Sequence, residues 1–252
     1  MNSPQPAKLG AMPHSSAPVS ADATSLTPSR PRSALAVGVV GALGEELLAG
    51  LVGGGRYATV HVAVDQPIGS ATARFKPWVI GDGVVVADDA YICITGPETF
   101  VPKATPMHRV GMDAVVAAAR AARDCGVTRL VLVSPLPALL QLNAASHTLS
   151  SASEMEIAEI GFQTLLVIRP TADSAAPAAG WPTGVVRTFT RMVLDIMLPQ
   201  RVQALRARTA ALAILAAVDR SGPGIHVLGA AELAAIVEET MPNALPKKVR
   251  LR

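Results

Sequence analysis

Aromatic residues, cysteine and charge are all scarce in this sequence, and the shortages of charge and of cysteine each exclude a class of protein. Only 3% of the 252 residues are aromatic, and charged residues make up 16%, with a net charge of +3. A charge this mild does not support nucleic-acid binding on electrostatic grounds. Two cysteines in so long a chain form no disulfide framework, and they lack the clustering of a metal site.

The histidines and the hydrophobic runs exclude further classes. The five histidines have no His-x-x-x-His or His/Cys spacing, so we expect no metal site. No run reaches the ~18 uninterrupted apolar residues of a membrane span, so we expect no membrane partner. Buried, reduced Cys93 and Cys125 would suit the cytoplasm, which is the location we expect.

What the sequence has in quantity is small aliphatic residues. Half of the chain is hydrophobic, mostly alanine, valine and leucine, and such side chains let helices pack closely on a sheet. Residues 1–32 are rich in proline, serine, alanine and threonine without periodicity, which predicts a disordered tail. We expect one domain over residues 33–242 and a basic C-terminal tail over residues 243–252.

Short apolar runs alternate with helical patterns along the predicted domain. We predict strands at 34–40, 58–64, within 78–86, and at 90–94, 129–133, 164–168 and 225–228. The predicted helices cover 45–51, 111–124, 150–160, 185–198, 208–218 and 231–239. This alternation predicts an α/β fold, a doubly wound, mostly parallel Rossmann sheet with helices on both faces.

A glycine motif joins the first predicted strand to the first helix. We call residues 38–44 the glycine turn, and its glycines are Gly38, Gly41 and Gly44. In a dinucleotide-binding turn the first glycine allows the tight bend, the second lets the pyrophosphate approach, and the third lets helix and strand pack. The phosphates then rest against free amides at the positive end of the helix. A glycine-rich turn without a ligand is the alternative.

Two acidic residues follow the next strands. Asp65 ends the second predicted strand, 21 residues after Gly44, where a carboxylate can accept hydrogen bonds from the adenosine ribose. Because it would repel a 2′-phosphate and no arginine adjoins it in sequence, we expect NAD(H) rather than NADP(H). Asp82 could reach the adenine edge; a solvated loop or turn aspartate is the alternative for both residues.

The order of motifs over residues 36–236 resembles the atypical short-chain dehydrogenase/reductases, in their NmrA-like and Tat-interacting-protein-like branch. The matching segments are the glycine turn, Ile94-Thr95-Gly96, the run from Leu130 to Ser134, Ser153-Glu154-Met155-Glu156, Gly161-Phe162 and Arg169-Pro170. The resemblance implies an NAD(P)-binding Rossmann domain. It also implies a cofactor site formed by Gly38, Val40, Gly41, Ala42, Leu43, Gly44, Asp65, Asp82, Thr95, Gly96, Arg169 and Pro170.

The chain departs from that family where the chemistry is carried. Setting Glu154 and Glu156 on the family's Glu-x-Glu places Thr148 at the tyrosine position and Ala152 at the lysine position. The two tyrosines, Tyr57 and Tyr91, are followed four residues later by His61 and Thr95, so the chain contains no Tyr-x-x-x-Lys. Without that proton donor, carbonyl reduction should be slower by ~10²–10⁴.

Two residues could still take part in catalysis. Ser134 matches the family serine that orients a substrate carbonyl, and His147 is the best remaining proton-transferring group, although a polar loop histidine is the common alternative. The first hypothesis is a binding or regulatory protein that holds a dinucleotide without turnover. The others are a divergent oxidoreductase acting on an unknown small molecule and a scaffold whose cleft binds a protein partner or a second copy.

Overall fold

The protein is described as a computed structural model covering residues 31–69, 72–96, 105–134, 149, 151–170 and 200–240, with side chains of the last segment from Ala207 onward. Seven strands form one sheet: β1 Ser33–Val37, β2 Thr59–Val64, β3 Phe75–Val79, β4 Asp89–Cys93, β5 Arg129–Val133, β6 Thr164–Ile168 and β7 Gly224–Leu228. The helices are α1 Gly41–Gly53, α2 Val115–Asp124, α3 Ala152–Glu159, α4 Gln200–Arg220 and α5 Ala230–Thr240.

The strand order is β3-β2-β1-β4-β5-β6-β7, and every pairing is parallel. This is the doubly wound order, in which the chain reverses direction across the sheet between β1 and β4. The predicted fold class is therefore confirmed. The reversal opens a crevice at the carboxyl ends of β1 and β4, where open α/β sheets bind ligands.

Helices cover both faces of the sheet, as predicted. On one face α1, α4 and α5 pack over a core that includes Leu47, Tyr91 and Ile214. On the other, α2 and α3 pack over a core that includes Leu35, Ile92 and Leu132. The five inner strands are largely buried on both faces, which explains their continuous apolar runs, whereas the edge strands β3 and β7 are mostly half-buried or exposed.

The third strand is the main correction to the predicted elements. It covers Phe75–Val79, ahead of the predicted window at 78–86, and residues 80–88 form a loop without a helix. Pro77 is tolerated because β3 is the edge strand. An apolar groove of about 190 Å³ lies beside the loop, with Trp78 and Ile80 on one side and α2 on the other.

A charged network closes the amino end of the sheet. Asp89, only 1% exposed, accepts two hydrogen bonds from the Arg32 guanidinium at 2.7 and 2.6 Å and one from the Tyr57 hydroxyl. The Tyr91 hydroxyl lies 3.0 Å from that of Tyr57. Burial raises the pKa of Tyr57 above its ordinary value and that of Tyr91 to about 12. The sequence interpretation places Arg32 in the tail; in the structure it anchors this network.

Several expectations fall outside the described residues. These are most of the N-terminal tail, the helix at 185–198, the basic tail at 243–252, and the residues His147 and Thr148. Within the described residues, no helix is long and apolar enough to cross a membrane.

Candidate functional site at the carboxyl end of the sheet

The chain leaves β1 at Gly38 through a bend that only glycine allows. Gly38 has φ +72°, and a Cβ added there would lie 2.1 Å from the carbonyl oxygen of Cys93 on β4. The Gly38 carbonyl accepts a hydrogen bond from the Val40 amide at 2.8 Å, which closes the bend. Gly38 therefore makes the tight bend predicted for the first glycine, and the structure adds a second constraint, the lack of space for a Cβ.

The other two glycines fix how α1 begins. Gly41, the first helical residue, has φ +71°. A Cβ at Gly44 would lie 2.5 Å from the backbone carbon of Val39, so Gly44 allows the helix to pack against the turn. Val40 occupies the N-cap position and supplies no side-chain hydrogen bond. The first amides of α1 are thus left uncapped by the N-cap side chain, at the end where the helix dipole favours an anion.

The remaining residues of the turn are apolar or small. Val40 is 8% exposed, Leu43 packs against the core from a half-buried position, and Ala42 is exposed. Glu45 is also exposed, one residue beyond Gly44. A phosphate at this helix end would therefore contact backbone groups rather than a basic side chain of the turn.

Asp65 lies where the sequence places it, directly after β2. Its side chain is 56% exposed, and its Oδ1 lies 2.6 Å from Nδ1 of His108, which donates to it when protonated at that nitrogen. No local sequence pattern indicates this pairing, because 43 residues separate the partners. The carboxylate that is predicted to bind a ribose is therefore already hydrogen-bonded to a histidine of the same chain.

His108 belongs to residues 105–110, which we call the strap. The strap pairs antiparallel with the end of β2 through Met107 and Val64, and it forms a parallel bridge between Val110 and Ile94 after β4. The Val110 side chain is fully buried, and a Cβ at Gly38 would lie 3.4 Å from its Cβ. The strap therefore crosses from β2 to β4 past the end of β1, beside the glycine turn.

Thr95 and Gly96 follow β4 at the same edge. The Thr95 amide donates to the Val110 carbonyl at 2.7 Å. The Thr95 hydroxyl is buried, and no hydrogen-bond partner for it exists among the described residues. Asp82, by contrast, is exposed in a turn after β3, where its amide donates to the Val79 carbonyl at 3.0 Å. Thr95 lies near the glycine turn, while Asp82 lies at the edge strand.

Ser134 directly follows β5 and is 4% exposed, with its amide donating to the Ile168 carbonyl at 2.8 Å. Two residues after α3 begins, Glu154 forms a capping box with Ser151. The same glutamate forms a buried ion pair with Arg169 at 2.7 Å, and both side chains are at most 5% exposed. The sequence assigns Arg169 and the buried Pro170 to the cofactor; the structure ties the guanidinium to Glu154.

A metal site and a nucleophile each place requirements on the cysteines and the other possible metal ligands of the described residues. Among the described residues, no three His, Cys, Asp or Glu side chains cluster closely enough to hold a metal ion. Cys93 and Cys125 are free and buried, and burial raises the pKa of the Cys93 thiol to about 12. Burial also raises the pKa of the Cys125 thiol, so the thiolate form is disfavoured at both cysteines.

Comparison with known proteins finds similarity only among solved structures. No model of a known protein family matches, and no curated protein matches. A UDP-N-acetylglucosamine 4-epimerase from Bacillus cereus is 13% identical over 77% of this chain and 74% of its own, with a TM-score of 0.42. The reductase domain of an aureusimine biosynthetic cluster is 15% identical over 79% of this chain and 67% of its own, with a TM-score of 0.43.

A thiolation-reductase di-domain from an archaeal non-ribosomal peptide synthetase is 12% identical over 74% of this chain and 67% of its own, at a TM-score of 0.40. The class of the protein follows from its own strand order and parallel register. It is a doubly wound α/β protein of the Rossmann type.

Proposed function

We propose that this protein binds a nicotinamide dinucleotide, with the diphosphate on the glycine turn. The observation that carries the proposal is the set of constraints on the turn: positive φ at Gly38 and Gly41, and no room for a Cβ at Gly38 or Gly44. A plain connecting turn does not need glycine at all three positions, whereas a turn that brings backbone amides to a diphosphate does. The turn also lies at the crevice between β1 and β4.

Asp65 supports NAD(H) over NADP(H) as the ligand. A 2′-phosphate next to this carboxylate would place like charges together, while a free ribose hydroxyl could donate a hydrogen bond to it. The branch of atypical short-chain dehydrogenase/reductases and the remaining cofactor contacts, including Thr95, Gly96, Arg169 and Pro170, belong to the same proposal. The cytoplasm is the proposed location, because two buried free thiols suit a reducing compartment.

The role we propose is binding or regulation rather than ordinary carbonyl reduction. The chain's two tyrosines are fully buried, and their hydroxyls belong to the Asp89 network at the amino end of the sheet. Neither hydroxyl can donate a proton at the carboxyl end, where the ligand would bind. No lysine stands four residues after either tyrosine.

A divergent oxidoreductase is the second candidate, and the position of Ser134 favours it. This serine directly follows β5, which lies next to β4 and two strands from β1 and its glycine turn, so it could position a substrate carbonyl near a bound nicotinamide. His147 would then be the proton donor. Oxidation of NADH against a panel of carbonyl compounds tests this candidate: turnover that drops in Ser134→Ala and His147→Ala supports it, and no turnover removes it.

Calorimetric titration tests the binding proposal. We expect NADH to bind more tightly than NADPH, and Gly41→Asp to abolish binding because a carboxylate would occupy the phosphate position. Gly55→Asp is the matched control, since Gly55 has the same φ of +71° at the other end of α1 and open space around its Cβ. Absence of binding at millimolar concentration, or equal binding by both variants, would refute the proposal.

A further inference from the structure

The strap occupies a gap that the sheet itself leaves open. On β2 the Val60 amide donates toward β3, to the carbonyl of Arg74, so the odd-numbered groups of β2 point toward β1. Because the pairing of β1 with β2 ends at Ala36, opposite Val62, the carbonyl of Ala63 and the amide of Asp65 have no partner on β1. The strap supplies both partners: Pro106 accepts from Asp65 at 2.9 Å, and His108 donates to Ala63 at 3.0 Å.

The strap satisfies the neighbouring strand in the same way. The Ile94 amide donates to Val133 on β5, so the Thr95 amide points toward β1. It finds the carbonyl of Val110 there, at 2.7 Å. The strap therefore extends the sheet in the place of β1, between the ends of β2 and β4. Its backbone occupies the slot between Asp65 and the glycine turn.

A dinucleotide with its diphosphate on the glycine turn would need this same slot. Its adenosine ribose would have to reach the carboxylate after β2, because that is the acceptor on the β2 side of the turn. His108 already holds that carboxylate at 2.6 Å, and the backbone of the strap lies across the path. A ligand that carries a phosphate but no adenosine would need only the uncapped amides of α1.

We infer that the strap and the adenosine half of a dinucleotide exclude one another at the carboxyl end of β2. This inference rests on the proposed function and adds a specificity to it. Binding of NAD(H) requires the strap to leave Asp65, whereas binding of nicotinamide mononucleotide does not. Only molecules in which the strap is displaced can bind the dinucleotide. The apparent affinity is therefore the intrinsic affinity multiplied by the fraction of molecules in that state.

Two variants separate the contributions of the strap. His108→Ala removes the side-chain bond to Asp65 and leaves the backbone pairing in place. His108→Pro also removes the amide that donates to Ala63, and it remains compatible with an extended segment. Circular dichroism and thermal unfolding show whether each variant keeps the fold of the unsubstituted protein.

Calorimetry with NAD⁺ and nicotinamide mononucleotide tests the inference. We expect His108→Pro to bind NAD⁺ about tenfold more tightly than the unsubstituted protein, His108→Ala to lie between them, and the mononucleotide to bind all three within about twofold. Unchanged NAD⁺ affinity, or an equal gain for both ligands, would overturn the inference and leave the glycine-turn proposal standing. If neither ligand binds any of the three proteins, the proposed function fails first, and the inference fails with it.

Amide hydrogen exchange in the unsubstituted protein keeps the inference testable should His108→Pro fail to fold. Saturation with NAD⁺ should speed the exchange of the His108 amide, because the displaced strap loses its bond to Ala63. The mononucleotide should leave that exchange rate unchanged. Equal or slower exchange of the His108 amide with NAD⁺ bound would show that the strap stays in place, and the inference would be wrong.

Discussion

The two ends of the sheet are closed in different ways. At the amino end, side chains meet: the carboxylate of Asp89 receives hydrogen bonds from Arg32 and Tyr57, and Tyr91 completes the cluster. At the carboxyl end near β1, backbone groups meet through the glycine turn and the strap. A buried side-chain network holds one geometry strongly, because each unpaired member would be costly. The backbone bonds of Pro106 and His108, which lie in the exposed to half-buried part of the strap, are weaker and can be exchanged for a ligand.

This difference assigns stability to the amino end and ligand binding to the carboxyl end. Substitutions at Asp89 or the tyrosines should change the free energy of unfolding and leave ligand affinity alone. Substitutions at the glycine turn should change affinity beyond what their effect on stability explains. Each substitution below tests whether stability and ligand binding depend on different ends of the sheet.

Removal of Asp89 should have the largest effect. Asp89→Ala leaves Tyr57 without its acceptor and Arg129, whose guanidinium lies 3.8 Å from the carboxylate, without its nearest anion. We expect the free energy of unfolding to fall by about 3–5 kcal/mol, the range for breaking a buried charge pair. Chemical denaturation measures it.

Asp219→Ala is the matched control for that variant. Asp219 also pairs with an arginine, Arg56, but its side chain is 64% exposed. A surface ion pair contributes about 0–1 kcal/mol, so this variant should be nearly as stable as the unsubstituted protein. Similar losses in Asp89→Ala and Asp219→Ala would show that the amino-end network is not a special source of stability.

The two tyrosines should differ in the size of their effects. Tyr57→Phe removes a hydrogen bond to a carboxylate and should cost about 1.5–3 kcal/mol, whereas Tyr91→Phe removes one between hydroxyls and should cost about 0.5–1.5 kcal/mol. The same denaturation experiment ranks them. A larger cost for Tyr91→Phe would mean that the network is not centred on Asp89.

The buried tyrosines also predict how stability depends on pH. Burial keeps the hydroxyl protonated, so the folded-state pKa of Tyr91, about 12, lies above the ordinary value of 10.0. Stability should be fully present below pH 10 and should decline as the pH rises toward 12, by up to about 1.4 kcal/mol per pH unit for each tyrosine. In Tyr91→Phe the decline should be shallower; an unchanged slope would contradict the assignment.

Substitutions of Gly41 and Gly55, at the two ends of α1, should have a small effect on stability. Gly41→Ala and Gly55→Ala each place an alanine at φ +71° and should each cost about 1 kcal/mol. Their ligand affinities should differ: the alanine at position 41 crowds the phosphate, and the one at position 55 lies at the far end of α1. Equal NADH affinity in the two variants, measured by titration, would show that the glycine turn does not contact the ligand.

Much of this fold could be predicted from local sequence patterns. Strands β5 and β6 have the predicted bounds, since each is an apolar run that ends at a polar residue before proline. The glycine turn was recognisable because its spacing carries the geometry. β3 was misplaced because an edge strand with a proline and a lysine lacks a strong apolar pattern, while the loop after it is rich in valine.

The parts that escaped prediction all depend on distant residues. The pairing of His108 with Asp65, the network around Asp89 and the ion pair between Glu154 and Arg169 join residues that carry no shared local pattern. The strap is held by backbone bonds that any sequence can make, so it leaves no trace in the order of side chains. Sequence reasoning therefore found the turn but not the segment beside it.

Phosphate binding at the glycine turn is tested most directly by NMR, by following the backbone amides of the protein during titration with nicotinamide mononucleotide. We expect the largest changes in chemical shift at the amides of Gly41, Ala42 and Leu43. The chemical shifts of the Asp89 and Tyr91 amides should not change. Changes confined to other parts of the chain, or no change at the start of α1 at millimolar ligand, would contradict the claim that the glycine turn receives a phosphate.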